Sequence, residues 1–157
     1  MMTKARKKIA SFLVATALLC PMCVASVSAN SQDADWSMTS SATDFKYLGA
    51  SRLKENGTAV YFRMKTSVTS NKVDVKILGT SARPVTSWSQ LTNCTVKNGI
   101  ARNYAKCTKG VYHSLHSTVY EDGYSRVTIA MTTAKVEKIT GVWSADSTGT
   151  YTEATYY

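Results

Sequence analysis

From Val111 to Tyr120 the side chains alternate in character, and this two-residue period constrains the fold more than any other feature of the chain. Val111, His113, Leu115, Ser117 and Val119 fall on one side of an extended backbone, and Tyr112, Ser114, His116, Thr118 and Tyr120 fall on the other. A helix would scatter both sets around its circumference, so the segment reads as a strand. After Glu121-Asp122-Gly123 the alternation resumes, with Val127, Ile129 and Met131 set against Arg126, Thr128 and Ala130. Asp-Gly between two such runs predicts a β-hairpin.

The same period recurs upstream. Val60, Phe62 and Met64 alternate with Tyr61, Arg63 and Lys65; after a turn at Ser70-Asn71-Lys72, Val73, Val75 and Ile77 alternate with Asp74 and Lys76. Two such runs predict an antiparallel pair, each strand with one buried face. The stretch from Gly79 to Asn93, with Pro84 and Trp88, has no period and reads as a loop. Cys94 to Ile100 and Arg102 to Cys107 suggest a hairpin turned at Asn98-Gly99, and Ile139 to Trp143 and Thr148 to Tyr156 are the last strand candidates. After residue 30 no 3.6-residue apolar pattern lasts a dozen residues. Seven or eight short strands at this spacing predict a single all-β domain, an antiparallel sandwich or partly open barrel.

That domain follows a leader. Lys4, Arg6, Lys7 and Lys8 precede an uncharged run of 11 residues from Ile9 to Leu19, then Pro21 and the small-residue stretch Ala25 to Ala29. This order of characters is that of a secretory signal peptide, expected over residues 1–29 with cleavage before Asn30 or two residues earlier. The competing reading, an uncleaved anchor reaching from Ile9 to Ala29, has the length for a bilayer, but Pro21 and the weakly apolar tail suit a cleavage region better. Leu19 before Cys20 and Met22 before Cys23 do not suit lipidation. Residues 30–43 are polar enough to expect a flexible arm, leaving 44–157 as the β-domain. The mature form is expected outside the cytoplasm, secreted or associated with the envelope, and not membrane-spanning.

Beyond residue 29 the chain has 15 basic and all 10 acidic residues, a net +5. The lysines and arginines are scattered, without the concentrated patch of a nucleic-acid binder, and the excess suits solubility or attraction to anionic surfaces. Cys20 and Cys23 fall in the leader. Cys94 and Cys107 remain, and an oxidising compartment predicts a disulfide between them, with two free thiols as the alternative.

No motif points to catalysis. The sequence contains no G-x-S-x-G elbow, phosphate-binding loop or dinucleotide fingerprint, and Glu55, Glu121, Glu137 and Glu153 all fall near turns or chain ends. His113 and His116 are three apart, so a regular strand sends them to opposite faces and they cannot share a metal ion. No cofactor is expected. The aromatics are more informative: Tyr112, Tyr120, Tyr124 and Trp143 are the candidate binding residues, either a contact surface for sugar, peptide or protein or rim packing in a sandwich.

Val119-Tyr120-Glu121-Asp122-Gly123-Tyr124, together with Gly141-Val142-Trp143-Ser144-Ala145-Asp146-Ser147, resembles the C-terminal half of a group of small uncharacterised secreted proteins of Gram-positive bacteria. Those proteins combine a signal peptide, a short β-domain and a closing W-S-P-D-S motif; here Ala145 replaces the proline. The resemblance implies export and a β-fold and no catalytic activity. The expected function is that of a non-enzymatic extracellular or envelope binding protein. Its candidate partners are an anionic cell-wall polymer, a carbohydrate or another cell-surface protein. A bacteriocin-like antagonist is the alternative, and an extracellular hydrolase is third.

Overall fold

The computed structural model describes residues 32–157; the expected leader and the expected cleavage site lie outside the described residues. The strands are β1 (Ala34–Thr39), β2 (Lys46–Tyr47), β3 (Arg52–Leu53), β4 (Val60–Thr66), β5 (Lys72–Thr80), β6 (Thr92–Asn93) and β7 (Val96–Lys97). They continue with β8 (Ile100–Ala101), β9 (Ala105–Thr108), β10 (His113–Leu115), β11 (Arg126–Thr132), β12 (Lys138–Ser144), β13 (Thr152–Glu153) and β14 (Thr155–Tyr156). One sheet runs β1-β12-β4-β10-β13; the other runs β14-β9-β5-β11-β2, with β3 on β11 and β6 on β5. Neither closes into a barrel. Pairing is antiparallel except where β13 lies parallel to β10.

The two sheets face each other across one core. Val60, Phe62 and Met64 from the first sheet pack with Val73, Val75 and Ile77 and with Val127, Ile129 and Met131 from the second. Each of these side chains is at most 1% exposed. The all-β expectation therefore holds, and so does the inward set at each alternating segment. Many strands are only two residues long, which is why fewer were legible.

The expected partners are a different matter. β4 pairs with β12 and β10, whereas β5 pairs with β11 and β9. The link at 67–71 therefore crosses between sheets, and the two runs meet face to face instead of side by side. The second expected hairpin is likewise divided, because β10 belongs to the first sheet and β11 to the second. The turn itself is real: the Gly123 amide donates to the Tyr120 carbonyl at 3.1 Å and the Tyr124 amide to the Val119 carbonyl at 3.0 Å. Alternation specifies which face is buried, and both a hairpin and a sandwich crossover satisfy it. The Asn98-Gly99 turn does close a hairpin, β7 with β8, with φ of 53° and 75° as a two-residue type I′ loop requires.

The expected flexible arm is in part an edge strand. Ala34 to Thr39 pairs with β12 along its whole length, and Trp36, 6% exposed, stacks on Phe62 with ring centroids 5.6 Å apart. Ala34, Trp36 and Met38 do alternate, but the Ser and Asp residues around them mask the pattern. Trp36 also explains Gly141. A Cβ at Gly141 would lie 2.5 Å from the indole and 2.1 Å from the Arg63 carbonyl oxygen, at the point where the β12–β4 register shifts.

Cys94 and Cys107 are separate buried thiols, which corrects the expected disulfide. Both flank β5 on the same side, Cys94 through its amide on the Ile77 carbonyl and Cys107 opposite Val73. Four strand positions separate those anchors, about 13 Å at the usual rise, whereas a disulfide needs Cα atoms within about 7 Å. Burial pushes the Cys94 thiol up to about 11 and the Cys107 thiol well above its ordinary value, so neither is an activated nucleophile.

Candidate binding face

The outward residues of β4 and β10 build a tyrosine shelf on the first sheet. Register places Ser114 opposite Tyr61 and His113 opposite Phe62, so Tyr112 comes beside Arg63. The Arg63 guanidinium donates from Nη1 to the Tyr112 hydroxyl at 2.7 Å and from Nε to the Gly110 carbonyl at 3.0 Å. Its Cζ sits 4.3 Å from the Tyr112 ring centroid, a cation–π contact. Tyr61 stacks on Tyr112 at 5.5 Å, and Tyr151 closes the group at 4.8 Å from Tyr61 and 6.1 Å from Tyr112. The Thr152 amide, donating to the Tyr112 carbonyl at 3.1 Å, fastens the C-terminal segment that carries Tyr151.

Tyr61 is the floor of this shelf at 4% exposed, while Tyr112 and Tyr151 present 44% and 36% of their surfaces. Burial first, then Asp33, Tyr112 and Tyr151, raises the Tyr61 phenol and keeps it neutral. Beside the shelf lies an open cavity of about 400 Å³ lined by Ser114, His116, Tyr151 and Glu153. His116 Nε2 is 3.5 Å from Glu153 Oε1, and Lys97 pairs with the same carboxylate. The arrangement offers flat apolar rings beside hydroxyl, imidazole and carboxylate groups, with no buried nucleophile and base aimed at one point.

Of the four candidate residues, only Tyr112 belongs to this shelf. Tyr120, 51% exposed, sits on the crossover turn. Tyr124 is half-buried, donating to Thr92 Oγ1 at 2.7 Å with its ring against Gly79. Trp143 is 2% exposed and belongs to the core. Tyr61 with Arg63 and, separately, Tyr112 fall on legible strand faces, but their adjacency is not legible, because the β4–β10 pairing joins strands about 50 residues apart. Tyr151 had no periodic signal.

The two histidines do face opposite ways. His113 is 4% exposed; its Nε2 accepts the Thr108 amide at 2.9 Å and its Nδ1 contacts the Thr152 carbonyl at 3.2 Å. The ring is then neutral with the proton on Nδ1, and burial holds its pKa below the ordinary value.

A second aromatic group lies on the outside of the other sheet. Tyr104 stacks on Tyr157 at 5.3 Å and meets Phe45 at 6.0 Å, with Lys76 Nζ 4.4 Å from the Phe45 ring centroid and Lys106 Nζ 5.3 Å from that of Tyr157. Lys106 also pairs with Asp74 at 3.2 Å.

The Trp143 to Ser147 motif is a buried anchor. Asp146 is fully buried, and its Oδ1 accepts from Lys54 Nζ at 2.5 Å while its Oδ2 accepts the Glu55 amide at 3.1 Å. Ser144 Oγ donates to the Asp146 carbonyl at 2.8 Å, and the Ser147 amide donates to Thr58 Oγ1 at 3.2 Å. The motif thus ties the end of β12 to the loop between β3 and β4. Burial lowers the Lys54 pKa, against the opposing pull of Asp146 and Glu121.

Among the described residues no helix is long and apolar enough to cross a membrane. Comparison with curated proteins and with solved structures gives no match. A family model for a protein of unknown function, DUF2712, matches residues 23–147, ending on the last residue of the anchor motif. With most of its length matched, the chain belongs to the DUF2712 family.

Proposed function

We propose that the chain is exported and works as a non-enzymatic binding module at the cell envelope, taking a carbohydrate polymer on the tyrosine shelf. The observation that carries this reading is the pair of half-exposed rings, Tyr112 and Tyr151, held in place by Tyr61 and Arg63 beside an open polar cavity. Flat rings stack on the apolar faces of sugars, and neighbouring hydroxyl and carboxylate groups satisfy sugar hydroxyls. The test is co-sedimentation of the secreted protein with washed cell walls and with insoluble polysaccharides. Tyr112→Ala and Tyr151→Ala should each weaken retention, whereas Tyr120→Ala should not. Equal retention of all three variants would remove the shelf as the contact.

A second reading rests on the lysines stacked on Phe45, Tyr104 and Tyr157, which suit an anionic wall polymer. Retention on that face would fall steeply with salt. Stacking on the tyrosine shelf would not.

A further inference from the structure

We infer that Lys54 and Asp146 condense into an intramolecular amide, a covalent cross-link between the β3–β4 loop and the end of β12. Three features of the site favour that chemistry. The reacting groups are sealed from water, with the Lys54 side chain 1% exposed and that of Asp146 0%, and they touch at 2.5 Å. Both are held in orientation, since Nζ also donates to the Thr58 carbonyl at 2.5 Å and the Glu55 amide holds Oδ2. And burial works against the Lys54 ammonium, toward the neutral amine that must attack.

The step balances without any co-reactant. A proton passes from the Lys54 ammonium to Asp146 Oδ1 across their contact, leaving a neutral amine and a carboxylic acid. The amine lone pair attacks Cγ and forms the Nζ–Cγ bond, while the developing negative charge settles on Oδ2 under the Glu55 N–H, as a backbone donor stabilises an oxyanion. Oδ1 takes a second proton from Nζ and leaves as water. The product is a secondary amide whose remaining N–H stays directed at the Thr58 carbonyl. Condensation is unfavourable between free molecules in water, but groups locked in contact react with effective molarities on the order of 10⁵ to 10⁸ M. Exclusion of water also removes the reverse reactant.

The Glu121 carboxylate lies against Gly57, where a Cβ would meet Oε1 at 2.6 Å, in the loop that carries Lys54, and its charge acts on the Lys54 ammonium. Residues 54 and 146 are 92 positions apart, so the bond would enclose most of the domain in one covalent ring.

Intact-mass measurement of the secreted, folded protein tests this directly. The expected mass is about 18 Da, one water, below that of the mature sequence. Tryptic digestion should yield one joined peptide pair containing Lys54 and Asp146, uncut after Lys54. Lys54→Arg keeps the charge and should restore the full mass. Asp146→Asn should form the same bond with loss of ammonia, about 17 Da. A cyclised Asp146-Ser147 backbone would also lose one water, but it would persist in Lys54→Arg and give no joined peptides, which would overturn the assignment. The full mass in folded wild-type protein would overturn it equally.

Discussion

The anchor at Trp143 to Ser147 and the shelf at Tyr61, Arg63, Tyr112 and Tyr151 lie on the same sheet and are both rich in polar side chains, but they spend those groups differently. In the anchor every named polar group turns inward. Asp146 meets Lys54, the Glu55 amide and Thr58, and Trp143 fills the core beneath it. In the shelf one ring is buried so that two others stand half in water, and Arg63 is placed over a face that solvent still reaches. The anchor is the more conspicuous in the sequence, as a compact motif, yet its chemistry goes into holding two loops together. The shelf has no motif at all, because its members come from three separate segments. Conspicuous local sequence here marks architecture, and the surface suited to recognition is assembled from dispersed residues.

The contrast can be broken experimentally. The largest effect should come from Asp146→Ala, which leaves the Lys54 ammonium buried without its carboxylate; a loss of about 3 to 5 kcal/mol in denaturant unfolding is expected, and an effect below about 1 kcal/mol would mean the anchor is dispensable. Gly141→Ala should cost about 1 to 3 kcal/mol by overpacking against Trp36 and the Arg63 carbonyl, measured the same way. Tyr112→Ala should do the reverse of Asp146→Ala. Its unfolding free energy should stay within about 1 kcal/mol of wild type, while affinity for the retained polysaccharide falls about tenfold, or about 1.4 kcal/mol. If stability collapsed and binding held, the roles assigned to the two regions would be exchanged.

The smallest effect is a pH dependence. Burial works to raise the Glu137 carboxyl, but donors at Ser70, Thr69 and Val68 outweigh it and hold the pKa below its ordinary 4.5. That stability is present above the unfolded value and is lost as pH falls through the folded one. Burial of His113 lowers its pKa from 6.5, with the same sign, since the unfolded chain takes up the proton first. Stability should therefore begin to decline below pH 6.5 and decline further below 4.5. Melting curves across this range check the trend, and His113→Gln should flatten its upper part.

Much of the interior was legible from one rule. Val60, Phe62, Met64, Val73, Val75, Ile77, Leu115, Val127, Ile129 and Met131 were all assigned inward from alternation, and all are buried. What alternation does not encode is which strand lies alongside. Asp122-Gly123 has the chemistry of a hairpin turn, and it turns, but the chain that leaves it joins the opposite sheet. Trp143, a candidate for a contact surface or rim packing, is instead a core residue, and the polar segment expected as an arm supplies the strand Ala34–Thr39 beside it. Compartment and count favour pairing Cys94 with Cys107, but the spacing of their anchors along β5 keeps them apart.

Dividing both long turn-linked runs between sheets also has a kinetic consequence. Residues adjacent in the chain contribute little to each other's pairing, and the outermost long strand, β1, finds its partner only at β12, with Ala34 opposite Trp143. Large loops must close before any sheet gains its middle, so this small domain should fold slowly for its size. A chain not yet complete through Trp143 would lack the strand that joins β1 to β4, so the first sheet could not assemble until nearly the whole domain was available.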